Sequence, residues 1–233
     1  MQAVILAGGR GNRLRPFTEN TPKPMVPLAG EPILEIIIRQ LSRDGFRNVV
    51  LAVNHLKAEI RSHFGAGERW NTEIRYSEEG DFLGTAGPLS IIDGLEEEFM
   101  VVNGDILTDL RFDELFRFHQ EADAVCTVAS CIRAVQLDFG VLSADSLNVL
   151  SRVEEKPELS FDVNMGIYVM KKEALLVIPP EGPYDMPDML NDLVSRRLRV
   201  ACFPFRGLWF DLGSPADYQR AREIYQGGEK AFL

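Results

Sequence analysis

Strand-like runs at residues 3–7, 48–54, 72–77 and 99–105 alternate with stretches of helical period, and that alternation leaves few architectures open. Residues 32–45 carry Leu34, Ile37, Ile38 and Leu41 at the i, i+3, i+4, i+7 spacing, with Pro32 near the first turn and Gly45 after the last. They predict a helix, residues 56–64 a second and residues 85–95 a third. A βαβαβ succession with nearly continuous apolar strands predicts an α/β fold: a Rossmann-like mixed, mainly parallel sheet with helices on both faces and right-handed crossovers. Ligands of such sheets bind beyond the strand C-termini. That places the loop after the first strand and Asn103-Gly104-Asp105 after the fourth on one rim.

The second half reads as a more antiparallel set, in the runs 122–130, 139–143, 147–157 and 163–170, followed by a helix near 186–197, a strand at 200–205 and a closing helix at 214–226. No repeat or linker separates the halves, so the chain of 233 residues reads as a single domain, 1–233, with an N-terminal nucleotide half (1–110) and a C-terminal acceptor half (111–233). The formal net charge of −10 argues against nucleic acid or an acidic membrane, which reward clustered basic surface. The expected partner is small. Cys126, Cys131 and Cys202 lack metal-ligand spacing and read as buried, reduced thiols of a cytoplasmic protein. The apolar run at 3–7 is too short for a signal peptide or membrane span.

The first loop carries the chemistry. Gly8, Gly9 and Gly11 offer backbone N–H groups that no side chain shields, and Arg13, Arg15 and Lys23 add separated cations. A plain turn needs glycine for positive φ but not the cations. The dinucleotide fingerprint is broken by Asn12, Arg13 and Leu14, which disfavours a nicotinamide oxidoreductase, and a P-loop Gly-Lys-Ser/Thr is missing. Pro22 and Pro24 fix the backbone on both sides of Lys23, limiting the entropy lost when its ammonium is held on a phosphate.

These residues carry a resemblance. LAGGRGNRLRPFTENTPKPMVPLAGEPILE resembles the signature of sugar-1-phosphate nucleotidylyltransferases, and SEEGDFLGTAGPL is similar to the nucleotide-binding loop of GDP-mannose pyrophosphorylases within that family. The motifs NGD (103–105), EKP (155–157), NMGIY (164–168) and WFDLG (209–213) follow in the family's order. Asn12 stands where the loop commonly has Thr or Ser, and Phe82 where a proline usually precedes LGTAG. The resemblance implies nucleotide contacts at Leu6, Ala7, Gly8, Gly9, Gly11, Asn12, Arg13, Glu79, Gly84 and Thr85. It implies catalytic roles for Arg13, Lys23 and Asp105. It also gives Lys156 the sugar phosphate, with Glu155 and Asn164 on sugar hydroxyls and Gly140 and Gly166 admitting the sugar to the backbone.

The implied reaction joins an NTP, with GTP favoured, to a sugar 1-phosphate, with mannose or heptose 1-phosphate favoured, giving an NDP-sugar and pyrophosphate. Uridylyl or thymidylyl transfer to a hexose or N-acetylated sugar phosphate stays open, as does a non-catalytic relative that senses nucleotide sugars. The sequence leaves the sugar and homo-oligomerisation undecided. A sugar 1-phosphate, with a second pKa of about 6, is already largely dianionic at pH 7 and needs no general base. It needs charge relief along an in-line path to the α-phosphorus. Mg²⁺ is the expected cofactor, held by Asp105 and Asp211, since Mg²⁺ takes one or two carboxylates and completes its shell with water and phosphate. His55, His63 and His119 pair with no serine or cysteine motif and are assigned no chemistry.

Overall fold

The computed structural model describes residues 1–9, 21–54, 56–226 and 232. In chain order the elements are β1 (Gln2–Leu6), β2 (Pro27–Leu28), β3 (Glu31–Pro32), α1 (Ile33–Arg43), β4 (Asn48–Val53), α2 (Lys57–Phe64), β5 (Glu73–Glu78), β6 (Glu98–Asn103) and β7 (Ile106–Thr108). They continue with α3 (Phe112–Ala122), β8 (Cys126–Gln136), β9 (Val141–Ala144), β10 (Leu150–Glu154), β11 (Glu158–Lys171), α4 (Met186–Ser195), β12 (Val200–Phe205), β13 (Trp209–Asp211) and α5 (Pro215–Gln226).

Seven strands form one sheet in the order β12-β8-β11-β6-β1-β4-β5. β1 is parallel to β4 and β6, β4 to β5, and β12 to β8, while β11 runs antiparallel to both β6 and β8. The sheet is therefore mixed and mainly parallel, and among the described residues the antiparallel pairing of the second half involves β11, the β9–β10 hairpin and β13, which pairs with β7 outside the main sheet. The period of two sorts each strand between two cores. Ala3, Ile5, Val49, Leu51, Met100 and Val102 face α1, α2 and α3; Val4, Val50, Ala52, Phe99 and Val101 face α4 and two 3₁₀ turns. Helical cover thus lies on both faces.

Two elements differ from the sequence reading. Residues 85–95 form only a 3₁₀ turn, Gly87–Ile91. Ala86 N and Gly87 N both donate to Tyr184 O, Pro88 has no N–H to give, and Ile92 is extended before Gly94 at φ +68°, so no helix propagates. Helix α3, on which the sequence reading places no element, buries Phe112, Leu115, Phe116 and His119. Its first N–H, on Phe112, donates to Asp44 Oδ2 at 2.8 Å, tying it to the end of α1. Cys126 and Cys131 are buried as expected, but Cys202 is exposed, because β12 is an edge strand and alternate residues face out. Among the described residues no helix is long and apolar enough to cross a membrane.

Candidate active site

β1 and β6 are parallel neighbours, so their C-terminal loops emerge side by side. Gly104 N donates to Leu6 O at 2.9 Å, and a Cβ on Gly104 would stand 2.9 Å from that same oxygen, which accounts for glycine at the centre of Asn-Gly-Asp. Between the loops opens a pocket of about 360 Å³. Leu6, Gly8 and Gly9 line it from β1, Asn103, Gly104 and Asp105 from β6, Lys23 and Pro24 from below, and Glu79, Phe82, Gly84, Thr85 and Pro88 from the segment after β5. Seven positions expected to meet nucleotide or metal therefore share one cavity with Lys23. Ala7 does not line it; its N–H donates to Ala52 O at 2.8 Å in the sheet.

Lys23 sits in a single 3₁₀ turn, Lys23–Met25, entered from Pro22 at φ −54°. It is 8% exposed, and its ammonium donates to Asp105 Oδ2. Burying that cation without a partner would be costly, so the carboxylate fixes its position. Asp211 belongs to the same corner. β13 pairs with β7 with Asp211 opposite Ile106, and Leu212 N donates to Asp105 O at 2.9 Å. Asp211 Oδ1 accepts from Gly213 N at 2.8 Å. Two carboxylates at one end of a short ladder are the hard oxygen set that suits Mg²⁺. Among the described residues no three His, Cys, Asp or Glu side chains could hold a metal by themselves, so water and phosphate would supply most of its shell.

Glu79 is 7% exposed and accepts from Leu83 N at 3.3 Å. Burial pushes its carboxyl above the ordinary range, against the lowering pull of the Leu83 N–H and the Asn54 side chain. A Cβ on Gly8 would come within 2.9 Å of Glu79 Oε1, so glycine there leaves room for the carboxylate. Thr85 has other partners. Its N–H and hydroxyl both donate to Asp185 Oδ1, at 2.9 and 3.1 Å, and its Oγ1 accepts from Met186 N at 2.8 Å. Gly84, at φ +82°, abuts Tyr184 O, which a Cβ would approach to 2.6 Å. The backbone N–H of Thr85 is therefore spent on α4, although residue and pocket remain adjacent.

The residues expected to meet the sugar phosphate divide. Gly166 (φ +73°) lies in the register shift of β11 between Asn164 and Tyr168, where a Cβ would sit 2.4 Å from Asn103 Nδ2, so it backs the pocket wall. Asn164 spans that irregularity, donating to Tyr168 Oη at 2.8 Å and accepting from Gly166 N at 2.9 Å. Gly140, Glu155 and Lys156 are exposed and do not line the pocket, with Glu155 Oε2 2.9 Å from where a Gly140 Cβ would be and Lys156 at φ +46°. Gly11, Asn12, Arg13 and Arg15 lie outside the described residues, as does His55. His63 pairs with Glu35 at 3.0 Å and His119 is buried against Thr127, so neither lines the pocket.

Sequence reasoning singled out no role for Asn103 beyond its motif, nor for Tyr184 and Asp185, which hold the 83–87 segment. The signal for Asp185 was present as an N-cap residue before Met186-Pro187 at the start of α4. Its actual partner, Thr85, could not be read from local sequence.

The sequence model of the family described as Nucleotidyl transferase matches residues 2–227. The chain is 33% identical to a UTP–glucose-1-phosphate uridylyltransferase of Synechocystis sp., over 95% of this chain and 62% of that protein. It is 34% identical to the bifunctional protein GlmU of Methanocaldococcus jannaschii, over 96% of this chain and 54% of the other. It is 32% identical to the mannose-1-phosphate guanylyltransferase catalytic subunit beta of Danio rerio, over 97% and 64%. The chain thus spans between half and two thirds of the length of these relatives. In fold it resembles HddC from Yersinia pseudotuberculosis, solved in complex with GMP-PN, with a TM-score of 0.71 at 24% identity over 96% of this chain and 99% of that one.

Proposed function

The chain belongs to the nucleotidyl transferase family, and we propose that it transfers a nucleotidyl group from an NTP, GTP in preference to UTP, to mannose or heptose 1-phosphate, releasing pyrophosphate. The observation that carries this reading is the buried Lys23–Asp105 pair at the mouth of β1 and β6, in a pocket that Gly8 and Gly9 also line. A dianionic sugar phosphate brings its own nucleophile. One of its oxygens forms a bond to the α-phosphorus as the bond from that phosphorus to the bridging oxygen breaks, and pyrophosphate leaves with the electron pair. Gly8 and Gly9 receive the triphosphate, and Lys23 exchanges its carboxylate partner for phosphate oxygens as charge shifts. Arg13 is assigned to the leaving pyrophosphate. Asp105 and Asp211 would hold Mg²⁺, which supplies charge neutralisation to the triphosphate when bound.

The preference for guanine rests on Glu79. Guanine presents N1–H and an N2 amino group side by side, a two-donor edge that one carboxylate accepts, whereas uracil offers one N–H between two carbonyls. A carboxylate buried in the pocket wall suits the first and repels the second. Relatives named for guanylyl transfer support the reading. Pyrophosphate release from a panel of GTP, UTP, dTTP and ATP against mannose, heptose and glucose 1-phosphates tests it. Turnover with GTP and mannose or heptose 1-phosphate is expected. A preference for UTP with glucose 1-phosphate would move the chain towards the Synechocystis relative, and no turnover with any pair would remove the enzymatic reading.

A further inference from the structure

β13 is a strand of 3 residues, and its two edges differ. In an antiparallel ladder alternate residues turn their N–H and C=O groups to opposite edges. On the edge facing β7, Leu208 O accepts from Asp109 N at 3.2 Å and Leu212 N donates to Asp105 O at 2.9 Å. The outer edge therefore presents Trp209 O and Asp211 N. β13 and β7 form a sheet of their own, so no third strand meets these groups among the described residues. An ion pair takes the place of that strand. Arg133 Nη2 donates to Trp209 O at 3.1 Å and to Asp217 Oδ2 at 2.7 Å, and the same Oδ2 accepts from Asp211 N at 3.2 Å. We propose that Arg133 and Asp217 are positioning residues for the metal corner: they close the outer edge of β13 and so hold Asp211 in the orientation from which its carboxylate ligates a divalent cation. This rests on the assignment of Asp211 to Mg²⁺ under the proposed function.

Each partner is itself fixed. Period-two alternation puts Ala129, Cys131 and Arg133 on one face of β8. The first two are buried in the core that holds Phe210 and Leu212, and Arg133 follows them outside it, with its guanidinium 4.7 Å from the centroid of the Trp209 ring. Trp209 Nε1 in turn donates to Met165 O on β11 at 2.9 Å. Asp217 lies in the first turn of α5, where the helix dipole favours a carboxylate, and its N–H donates to Ser214 Oγ at 3.4 Å. Ser214 N donates to Asp211 O at 2.9 Å, and Gly213 N to Asp211 Oδ1 at 2.8 Å. Residues 211–217 thus fold back on themselves, and Asp211 is held at its N–H, its C=O and a carboxylate oxygen. With side chains 29% and 15% exposed, the Arg133–Asp217 pair is only partly screened by water.

Charge and positioning make opposite demands on the pair. By charge alone, a nearby cation weakens metal binding and a nearby carboxylate strengthens it, so losing Arg133 would tighten the metal and losing Asp217 would loosen it. Positioning predicts that either loss loosens the metal, because either one opens the outer edge of β13. Groups that orient a ligating carboxylate are worth about 10–100-fold in metal affinity.

Free Mn²⁺, read by electron paramagnetic resonance as the full chain is titrated, gives the affinity of the corner for a divalent probe without turnover. Arg133→Met and Asp217→Ala should each weaken Mn²⁺ binding about 10–100-fold with the circular dichroism spectrum retained. In both, the Asp211 amide should exchange with deuterium faster than in wild type. Asp217→Asn, whose amide oxygen can still accept both bonds, should recover part of the loss, and it carries the test if Asp217→Ala does not fold. Wild-type Mn²⁺ affinity in folded Arg133→Met and Asp217→Ala would overturn the proposal. Loss in Asp217→Ala with unchanged or tighter binding in Arg133→Met would make Asp217 a ligand or a simple charge, and would overturn it too. Asp211→Asn separates this proposal from the reading beneath it. If that variant binds Mn²⁺ as wild type does, the metal assignment falls; if it alone loses Mn²⁺, the assignment stands and the positioning role falls.

Discussion

Lys23 and Glu79 are both buried ionisable groups in one pocket, and their variants should separate chemistry from stability. Lys23→Ala should lower turnover about 10³-fold, the usual scale for removing a cation that stabilises transferring phosphoryl charge, with the circular dichroism spectrum retained. Pyrophosphate release near the wild-type rate would remove Lys23 from the reaction. Glu79→Gln should weaken kcat/KM for GTP by roughly 1–3 kcal/mol and for UTP by less. Its stability should move the other way. Burial raises the folded Glu79 above its unfolded value, so the native state holds this proton longer, and stability falls as pH rises from that unfolded value through the folded one. At pH 7 the amide escapes this cost, so Glu79→Gln should melt no lower than wild type. An equal loss with GTP and UTP would sink the base-reading role. At this scale the sequence pointed to Gly8, Gly9, Lys23 between its prolines and Asp105 at a strand end, which the fold brings to one pocket. Thr85 was opaque because its partner, Asp185, lies 100 residues on.

Helix α3 had a legible signal, since Phe112, Leu115, Phe116 and His119 follow the i, i+3, i+4, i+7 spacing. The 85–95 segment had a misleading one: its apolar residues fit a helical face, but Pro88 and the hydrogen bonds to Tyr184 decide the outcome. α3 also carries a pH dependence. His119 is fully buried, with Nδ1 2.8 Å from Thr127 Oγ1 and Nε2 unpartnered among the described residues. Burial lowers its pKa, helped by Lys171 and opposed by Glu98 and Asp123. A depressed folded value means the stabilisation is complete above the unfolded pKa of about 6.5 and is lost as pH falls from there through the folded value, at up to ~1.4 kcal/mol per pH unit. The melting temperature should therefore drop more steeply between pH 7.5 and pH 5.5 in wild type than in His119→Gln. Parallel profiles would mean that His119 does not titrate differently on unfolding.

The whole molecule joins its halves at β6 and β11, and the candidate metal corner spans that join, with Asp105 before β7 and Asp211 on β13. Activity should disappear in chelator. Asp105→Asn and Asp211→Asn should each need more Mg²⁺ for half-maximal rate, with partial recovery at high metal, read from pyrophosphate release against Mg²⁺ concentration. Full activity without added metal in chelator would contradict the assignment. The sheet was legible at this scale because alternating apolar runs fix its strands and rim. The exposure of residues 138–156 was not, because alternating apolar residues signal a strand without stating what covers it.

The stitching of residues 83–87 to 184–186 bears on how the protein is made. During synthesis the glycine loop, Lys23, Glu79 and Asp105 all leave the ribosome well before Tyr184. Until then Ala86 N and Gly87 N lack their carbonyl acceptor and Thr85 lacks Asp185. A nascent first half can pair β1, β4, β5 and β6, yet one wall of its pocket waits for the chain to reach α4. Nucleotide present during translation should thus find no finished site on the emerging half, and ligand capture becomes a late event, coincident with closure of the sheet.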